Sequence, residues 1–475
     1  MKKLIVFLTR SILIFQLAFC SLMHADTLKT YTFPKEVKRN TEFTVWVRIP
    51  HGNWKKVEAC VWKVDHVVNG FHTVETSSVA SFDFEGKVEV CIRYNEGNID
   101  SCKIRPLSDH ISWIKKENCI RFTLDRPRDL SVEVNGDIYH NLQLFANEME
   151  PTVKGSKSVI YYGPGYYDLG DDSISVPSGK TLYIAGGAYI KGFISVCGVH
   201  DVKVIGHGYI NPERQQEGIL VRYSHHVLID GPLTTQIPVG QSDSVTIRNA
   251  KVMSWYGWGD GMNVFASQHV YYNHIFCRTS DDCSTIYCTR KGYHGGCRDI
   301  RINDAVYWAD VAHPIMIGLH GDIMKNEVIE DVVYDNIDIL QQNEKQIDYE
   351  GCIGINDGDN NLVQNILFQN IRIEDISEGM LFNFRVCFNK KYCHAPGRGI
   401  HHVILRNVSY TGKKPNISLI TGYSSDRDVG DIHFEGLVIN GIPVYDGMPE
   451  KPKWYKTADF ARIYLGEFVN NVSFK

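Results

Sequence analysis

Beyond residue 25 the chain has no apolar run approaching the roughly 20 residues that a membrane-spanning helix requires, so no span is expected in the mature protein. An excess of charge of one sign is also lacking. With 50 basic and 55 acidic residues the formal net charge is -5, and that balance has no general attraction for phosphate or anionic lipid, which excludes nucleic acid as an expected partner. Closed zinc patterns are missing as well. Cys283, Cys288 and Cys297 cluster, but their spacing fits none of them, and neither a metal nor another cofactor is expected.

The N-terminus has the layout of a secretory leader. Lys2 and Lys3 precede apolar runs at residues 4–8 and 12–20, and polar sequence begins at Asp26. This reads as a signal peptide over residues 1–25 with cleavage after Ala25, and predicts an exported protein, periplasmic or secreted. Leu17-Ala18-Phe19-Cys20 loosely resembles a lipoprotein box, with Phe19 bulky where a small residue is usual, so a lipid anchor on Cys20 stays open. Of 13 cysteines, 12 follow the leader. An even number in an exported chain permits disulfides, with Cys91–Cys102 and Cys387–Cys393 near enough in sequence to pair, while buried free thiols fit equally well.

The 475 residues change texture part-way. From 26 to 150 apolar and polar residues alternate in the rhythm of half-buried strands, as in Phe43-Thr44-Val45-Trp46-Val47-Arg48-Ile49 and Leu130-Ser131-Val132-Glu133-Val134. A β-sandwich of support or carbohydrate-binding character is expected there, since no paired catalytic residues stand out. From 151 to 475 a unit of the form apolar-x-apolar-x-turn recurs, starting at Val202, Val227, Val245, Val270, Ile300, Val332, Ile366, Val403 and Ile432. These nine copies lie about 18 to 37 residues apart, and the fifth position is always Gly, Asn, Asp or His. Most of those intervals are too short for propeller blades, and they predict an all-β chain whose second part is a right-handed parallel β-helix with one copy per coil. Successive coils stack about 4.8 Å apart, so residues one coil apart become neighbours. A monomer is expected.

One stretch then stands out: Trp258-Gly259-Asp260-Gly261 and, 21 residues after Asp260, Asp281-Asp282. Stacking would bring three carboxylates onto one face. Such a trio supplies a protonated acid for a leaving oxygen and a carboxylate to activate water, and crowding raises the pKa of one member. Adjacent strand residues point to opposite faces, so Asp281 and Asp282 share a cleft only if the chain bends at 280–283. A turn for Gly-Asp-Gly and a solvated loop or a calcium site for Asp-Asp are the plainer readings of each motif alone, although few further carboxylates lie around Asp281 to suit calcium.

These residues carry a resemblance. With Gly163-Pro164-Gly165-Tyr166-Tyr167-Asp168, Leu182-Tyr183-Ile184-Ala185-Gly186-Gly187-Ala188, Ile205-Gly206-His207-Gly208, Ile286-Tyr287 and Trp308 followed by His313-Pro314, the chain from about Val159 to Gly321 resembles the β-helix glycoside hydrolase clan. It is similar above all to the dextranases and isopullulanases of family 49, and also to the polygalacturonases of family 28. The resemblance implies a secreted, inverting polysaccharide hydrolase with Asp281 as general acid and Asp260 and Asp282 holding and deprotonating water. A β-sandwich before the helix also accords with family 49. Two departures from the family 49 pattern stand: Thr285 occupies a place where a basic residue is expected, and the 21-residue spacing is closer to that of the polygalacturonases. Conversely, the Arg-x-Lys pair that grips a uronate in family 28 is absent, unless Arg290-Lys291 or Lys345 replaces it. Neutral α-glucan is therefore favoured over pectin, with a carbohydrate-binding protein that has lost its chemistry as the contrasting reading.

Further candidates for substrate contact are Trp258, Tyr287 and Trp308 by stacking, along with Trp255, and His313 and His320 through hydroxyls or water. Lys345, Asp348, Asn356 and Asp357 could line a subsite one to two coils on. Core aromatics, satisfied histidines and solvated loops are the alternatives.

Overall fold

The computed structural model describes residues 26–153, 155–413, 415–449 and 451–475. The expected leader at 1–25, Cys20 included, lies outside the described residues. Among these residues no helix is long and apolar enough to cross a membrane.

Two packed sheets form the N-terminal part. One holds the strands Thr27–Thr30, Ala59–Val68, Phe71–Glu85, Cys102–Arg105, Arg128–Val134 and Leu142–Asn147; the other holds Phe43–Arg48, Lys55–Val57, Val88–Tyr94, Ile114–Lys116 and Cys119–Leu124. Alternation in Phe43–Arg48 buries Phe43, Val45 and Val47 against the opposite sheet and turns Thr44, Trp46 and Arg48 outward.

From Val159 to Phe474 the described strands form one sheet of 28 that stacks as a parallel solenoid, with a short antiparallel hairpin, Leu437–Ile439 with Ile442–Val444, ahead of its last two strands. The chain is a parallel β-helix. Val202, Val227, Val245, Val270, Ile300, Val332, Ile366, Val403 and Ile432 lie directly above one another, and Val472 adds a tenth rung. All are buried except Val472, which packs half-buried against that core. Each such side chain contributes roughly 1.5–3 kcal/mol by leaving water.

The fifth residue of every copy has left-handed backbone: Asn249, His274, Asp304, Asn336, Asn370 and Asn407 lie at φ 54–58°, and Gly206, Gly231 and Gly436 at 113°, 98° and 78°. A single residue in that region turns the chain sharply, and it is the conformation that Gly, Asn and Asp tolerate best. A second corner precedes each copy, at Asp201, His226, Ser244, His269, Asp299, Asp331, Asn365, His402 and Asp431, with φ 51–58°. Each four-residue side of a coil is thus bounded by two one-residue corners. The corner side chains tie coils together: Asn336 donates to Asp304 at 3.1 Å, Asn370 to Asp335 at 2.8 Å, and Asn407 to Asn370 at 3.1 Å.

The sandwich is fastened to the side of the solenoid. Trp62, Val64, Val79 and Phe145 pack against Tyr189, Tyr209, Leu233, Met253 and Phe276, and Trp62 Nε1 donates to the Met253 carbonyl at 2.9 Å. Buried charges cross the same boundary. Arg105 pairs with Glu374 at 2.7 Å and Glu133 at 3.0 Å, and Arg278 pairs with Asp310 at 2.9 Å while donating to Asn141. Trp308 lies wholly buried between the two guanidinium groups, 5.1 Å from Arg105 and 4.5 Å from Arg278. This corrects the expectation that Trp308 stacks on a sugar: its rung belongs to the face covered by the sandwich.

All 12 described cysteines are free thiols. Cys91 and Cys102 stand on different sheets, and Cys91 neighbours Cys119 on the adjoining strand instead, so the Cys91–Cys102 pairing is corrected. Cys387 and Cys393 pack in one cluster and are unpaired covalently. Cys283, Cys288 and Cys297 face the solenoid core.

Candidate active site

Asp260 lies between the strands Lys251–Met253 and Met262–Phe265; Asp281 and Asp282 lie between Gln268–Thr279 and Ser284–Tyr287. Met262 pairs with Ser284, and Ser284 with Ile315. Two residues before each of these stand Asp260, Asp282 and His313, so these three occupy one column on consecutive coils. The neighbour of Asp260 in the stack is therefore Asp282, and Asp281 joins them from the corner.

That corner is bent by local hydrogen bonds. Thr279 Oγ1 donates to the Asp281 carbonyl at 2.7 Å, the Ser280 amide to Ser254 Oγ at 3.0 Å, Ser280 Oγ to the Tyr256 carbonyl at 2.5 Å, and the Asp282 amide to Asp281 Oδ1 at 3.0 Å. The glycines around Asp260 serve close approach of coils. A Cβ on Gly259 would meet Ser280 Oγ at 2.1 Å, and one on Gly261 the Cys283 carbonyl at 2.4 Å. One oxygen from each of Asp260, Asp281 and Asp282 lies within 4.8 Å of the others. Such a set has the size to hold a cation or a water molecule.

The three environments differ. Asp282 is buried, and its carboxylate accepts from Tyr287 OH at 3.0 Å, the His313 amide at 3.1 Å and His313 Nδ1 at 2.6 Å. Asp260 accepts one bond, from Asn263 Nδ2 at 2.6 Å, and burial followed by the Asp282 charge pushes its carboxyl up to about 7. Burial, then the charges of Asp260 and Asp282, hold the Asp281 carboxyl well above the usual carboxylate range. His313 is wholly buried, with Nε2 against the Tyr349 carbonyl. A carbonyl only accepts, so Nε2 carries a proton, and Nδ1 donates to Asp282. With both ring nitrogens donating, His313 pairs with Asp282 as an imidazolium; burial works to lower its pKa, but the Asp282 carboxylate outweighs it and the net shift is upward.

A cleft of about 790 Å³ opens over the trio. Of the expected contact residues, Trp258 is 74% exposed on its rim with φ 66°, an uncommon backbone for a bulky residue, and Gln236 Nε2 donates to its carbonyl at 3.0 Å. Tyr287 and His320 line the cleft edge-to-face, ring centroids 4.9 Å apart, and burial followed by Arg290 pushes His320 down to about 3. His313 supports Asp282 from beneath. Lys345 is exposed between Glu344 and Gln346, which line the cleft as it does not. Trp255 lies outside the lining with Lys63 4.0 Å over its ring, Asp348 is exposed outside it, and Asn356 and Asp357 are buried in the wall.

Sequence reasoning passed over several lining residues: His72 from the sandwich, Phe265, Tyr349 and Tyr392, whose rings stack at 4.6 Å, and Glu344 and Gln346. All but Phe265 stand far from the aspartates in sequence, and none carries a motif. Arg290 and Lys291, weighed only as a replacement for a missing pair, form one side of the cleft.

The chain is similar in fold to Dex49A from Penicillium minioluteum. The TM-score is 0.56 at 15% identity, over 86% of this chain and 90% of that one. A family 28 exopolygalacturonase of Yersinia enterocolitica aligns over 82% of this chain and 96% of its own at 11% identity and TM-score 0.45. The endo-xylogalacturonan hydrolase of Aspergillus tubingensis aligns over 58% and 85% at 13% identity and TM-score 0.40. No family model and no curated protein matches the sequence. At such identities the likeness to Dex49A is one of fold.

Proposed function

We propose that this chain is an exported enzyme that hydrolyses glycosidic bonds in a polysaccharide, α-glucan of the dextran or pullulan kind first. The observation that carries the reading is the trio itself: three carboxyl groups within 4.8 Å on the floor of an open cleft, two with their pKa raised and the third fixed by three donors. Asp281, its pKa raised by burial and by the neighbouring carboxylates, gives its proton to the leaving oxygen. Asp282, aligned by Tyr287 and His313, and Asp260 hold and deprotonate the attacking water. Trp258 offers a stacking face and Tyr287 closes the wall. The fold shared with Dex49A supports the family 49 resemblance.

The inverting course belongs to the proposal through that resemblance. Oxygens within 4.8 Å of one another stand closer than the roughly 6.5–9.5 Å typical of inverting sites with two carboxylates, so the anomer released first, observed by NMR, decides it. A second reading, pectin or another acidic glycan, is favoured by one observation: Arg290 and Lys291 line the cleft. Dextran, pullulan and polygalacturonate assayed side by side separate the readings. New reducing ends from the first two support α-glucan, and from the third the acidic glycan. Absorbance from unsaturated products would mean elimination, and binding without products a carbohydrate-binding protein. The proposal extends to a monomer, a leader at 1–25, a sandwich at 26–150 and a catalytic β-helix at 151–475.

A further inference from the structure

We propose that His72, oriented by Asp65, is a sugar-binding residue of this cleft, so that the sandwich supplies one wall of a glycosyl subsite; the proposal rests on reading the cleft as a polysaccharide site. Strands Ala59–Val68 and Phe71–Glu85 form an antiparallel hairpin that places Asp65 opposite Val74 and Val67 opposite His72. The root of the hairpin is anchored to the solenoid through Trp62 and Met253, and Lys63 sits over Trp255. Its tip is open, with Phe71 75% exposed.

Asp65 is fully buried, its Oδ2 lies 2.5 Å from His72 Nδ1, and its Oδ1 has no hydrogen-bond partner among the described residues. A carboxyl group kept out of water with one oxygen unsatisfied is costly. The His72 ring it holds is half exposed and lines the cleft. The other ring nitrogen faces the catalytic loop: a methyl placed on Gly257 would lie 3.8 Å from His72 Nε2. Gly257 precedes Trp258, so the imidazole and the indole flank one space. With Nδ1–H donating to Asp65, Nε2 is the acceptor turned to the cleft, the tautomer that such a partner selects. A glycosyl unit fits this pair: a hydroxyl donates to Nε2 while the apolar face of the ring lies on Trp258.

The experiment is affinity electrophoresis of the full chain through gels containing dextran, pullulan or polygalacturonate. The wild type should be retarded by at least one of them, and His72→Ala should bind that glycan about tenfold more weakly, the loss of one buried hydrogen bond and its packing. His72→Gln, which keeps a polar group there, should recover part of the loss. Asp65→Asn should also weaken binding, and the double variant should bind no more weakly than His72→Ala, because Asp65 acts only through His72. Circular dichroism confirms that each variant is folded; were Asp65→Asn to unfold, the His72 variants would still decide. Retardation of His72→Ala equal to wild type overturns this inference and leaves the hydrolase reading intact. Failure of all three glycans to retard the wild type overturns both, and additive losses in the double variant overturn the positioning role of Asp65.

Discussion

His313 Nδ1 lies 2.6 Å from Asp282 Oδ1, inside the wall of the solenoid. The pair is a buried imidazolium and carboxylate on consecutive coils, and it holds one carboxylate of the trio in a single orientation. His313→Ala leaves Asp282 buried without its charge partner, a change that costs about 3–5 kcal/mol. Thermal unfolding should show that loss, and hydrolysis should fall with it, because Asp282 is then free to turn or to take up a proton. An unchanged melting temperature would contradict the ion pair.

Asp281→Asn keeps the shape of the side chain and removes its proton. On whichever polysaccharide the wild type cleaves, turnover should fall about 10²–10⁴-fold, the usual worth of a general acid, while retardation in gels of that polysaccharide persists. Near-normal turnover would remove Asp281 from its proposed role.

The raised carboxyl of Asp260 makes stability depend on pH. Its folded-state pKa of about 7 lies above the ordinary 3.8, so between those values the folded chain holds a proton that the unfolded chain has released. The contribution is fully present below about pH 4 and is lost as pH rises through 7. His313, also shifted upward, acts in the same direction. Melting temperatures at pH 4.5 and pH 8 should therefore drop more across the interval for the wild type than for Asp260→Asn.

Trp258 pairs exposure with left-handed backbone, a combination without value to the core. Trp258→Gly should raise stability slightly, by up to about 1 kcal/mol, through relief of the strained backbone, and raise KM about tenfold by removing the stacking face. A variant that is more stable with unaltered KM would leave the indole without a role in binding.

The corners are testable in the same way. Asn370 has φ 55°, donates to Asp335 and accepts from Asn407. Asn370→Ala should lose about 1–2 kcal/mol from the left-handed backbone plus the two hydrogen bonds, and Asn370→Gly should lose less, as chemical denaturation would show.

The coil corners after each repeat were legible because a left-handed residue without Cβ strain must be chosen from a short list, and Asn249, Asn336, Asn370 and Asn407 come from it. The preceding corners were equally regular but escaped notice, since Ser244 and His402 look like ordinary surface residues. Asp260 and Asp282 were legible as partners because one coil separates them. Which of Asp281 and Asp282 stacks on Asp260 was not legible, since it depends on how the chain bends at 280–283, and the register there pairs Asp260 with Asp282. Trp308 misled because periodicity locates a rung but does not say which side of the coil another domain will cover.

The alternation of strands in the sandwich, the recurring rung and the three acidic residues follow from the sequence alone, because each depends on spacing within a coil or between neighbouring coils. His72 beside Gly257, the imidazolium of His313 and the burial of Trp308 between Arg105 and Arg278 were decided by tertiary structure. Each depends on which face of the solenoid the sandwich covers and how deeply it excludes water, and no local pattern of residues encodes contacts between segments so far apart in the chain.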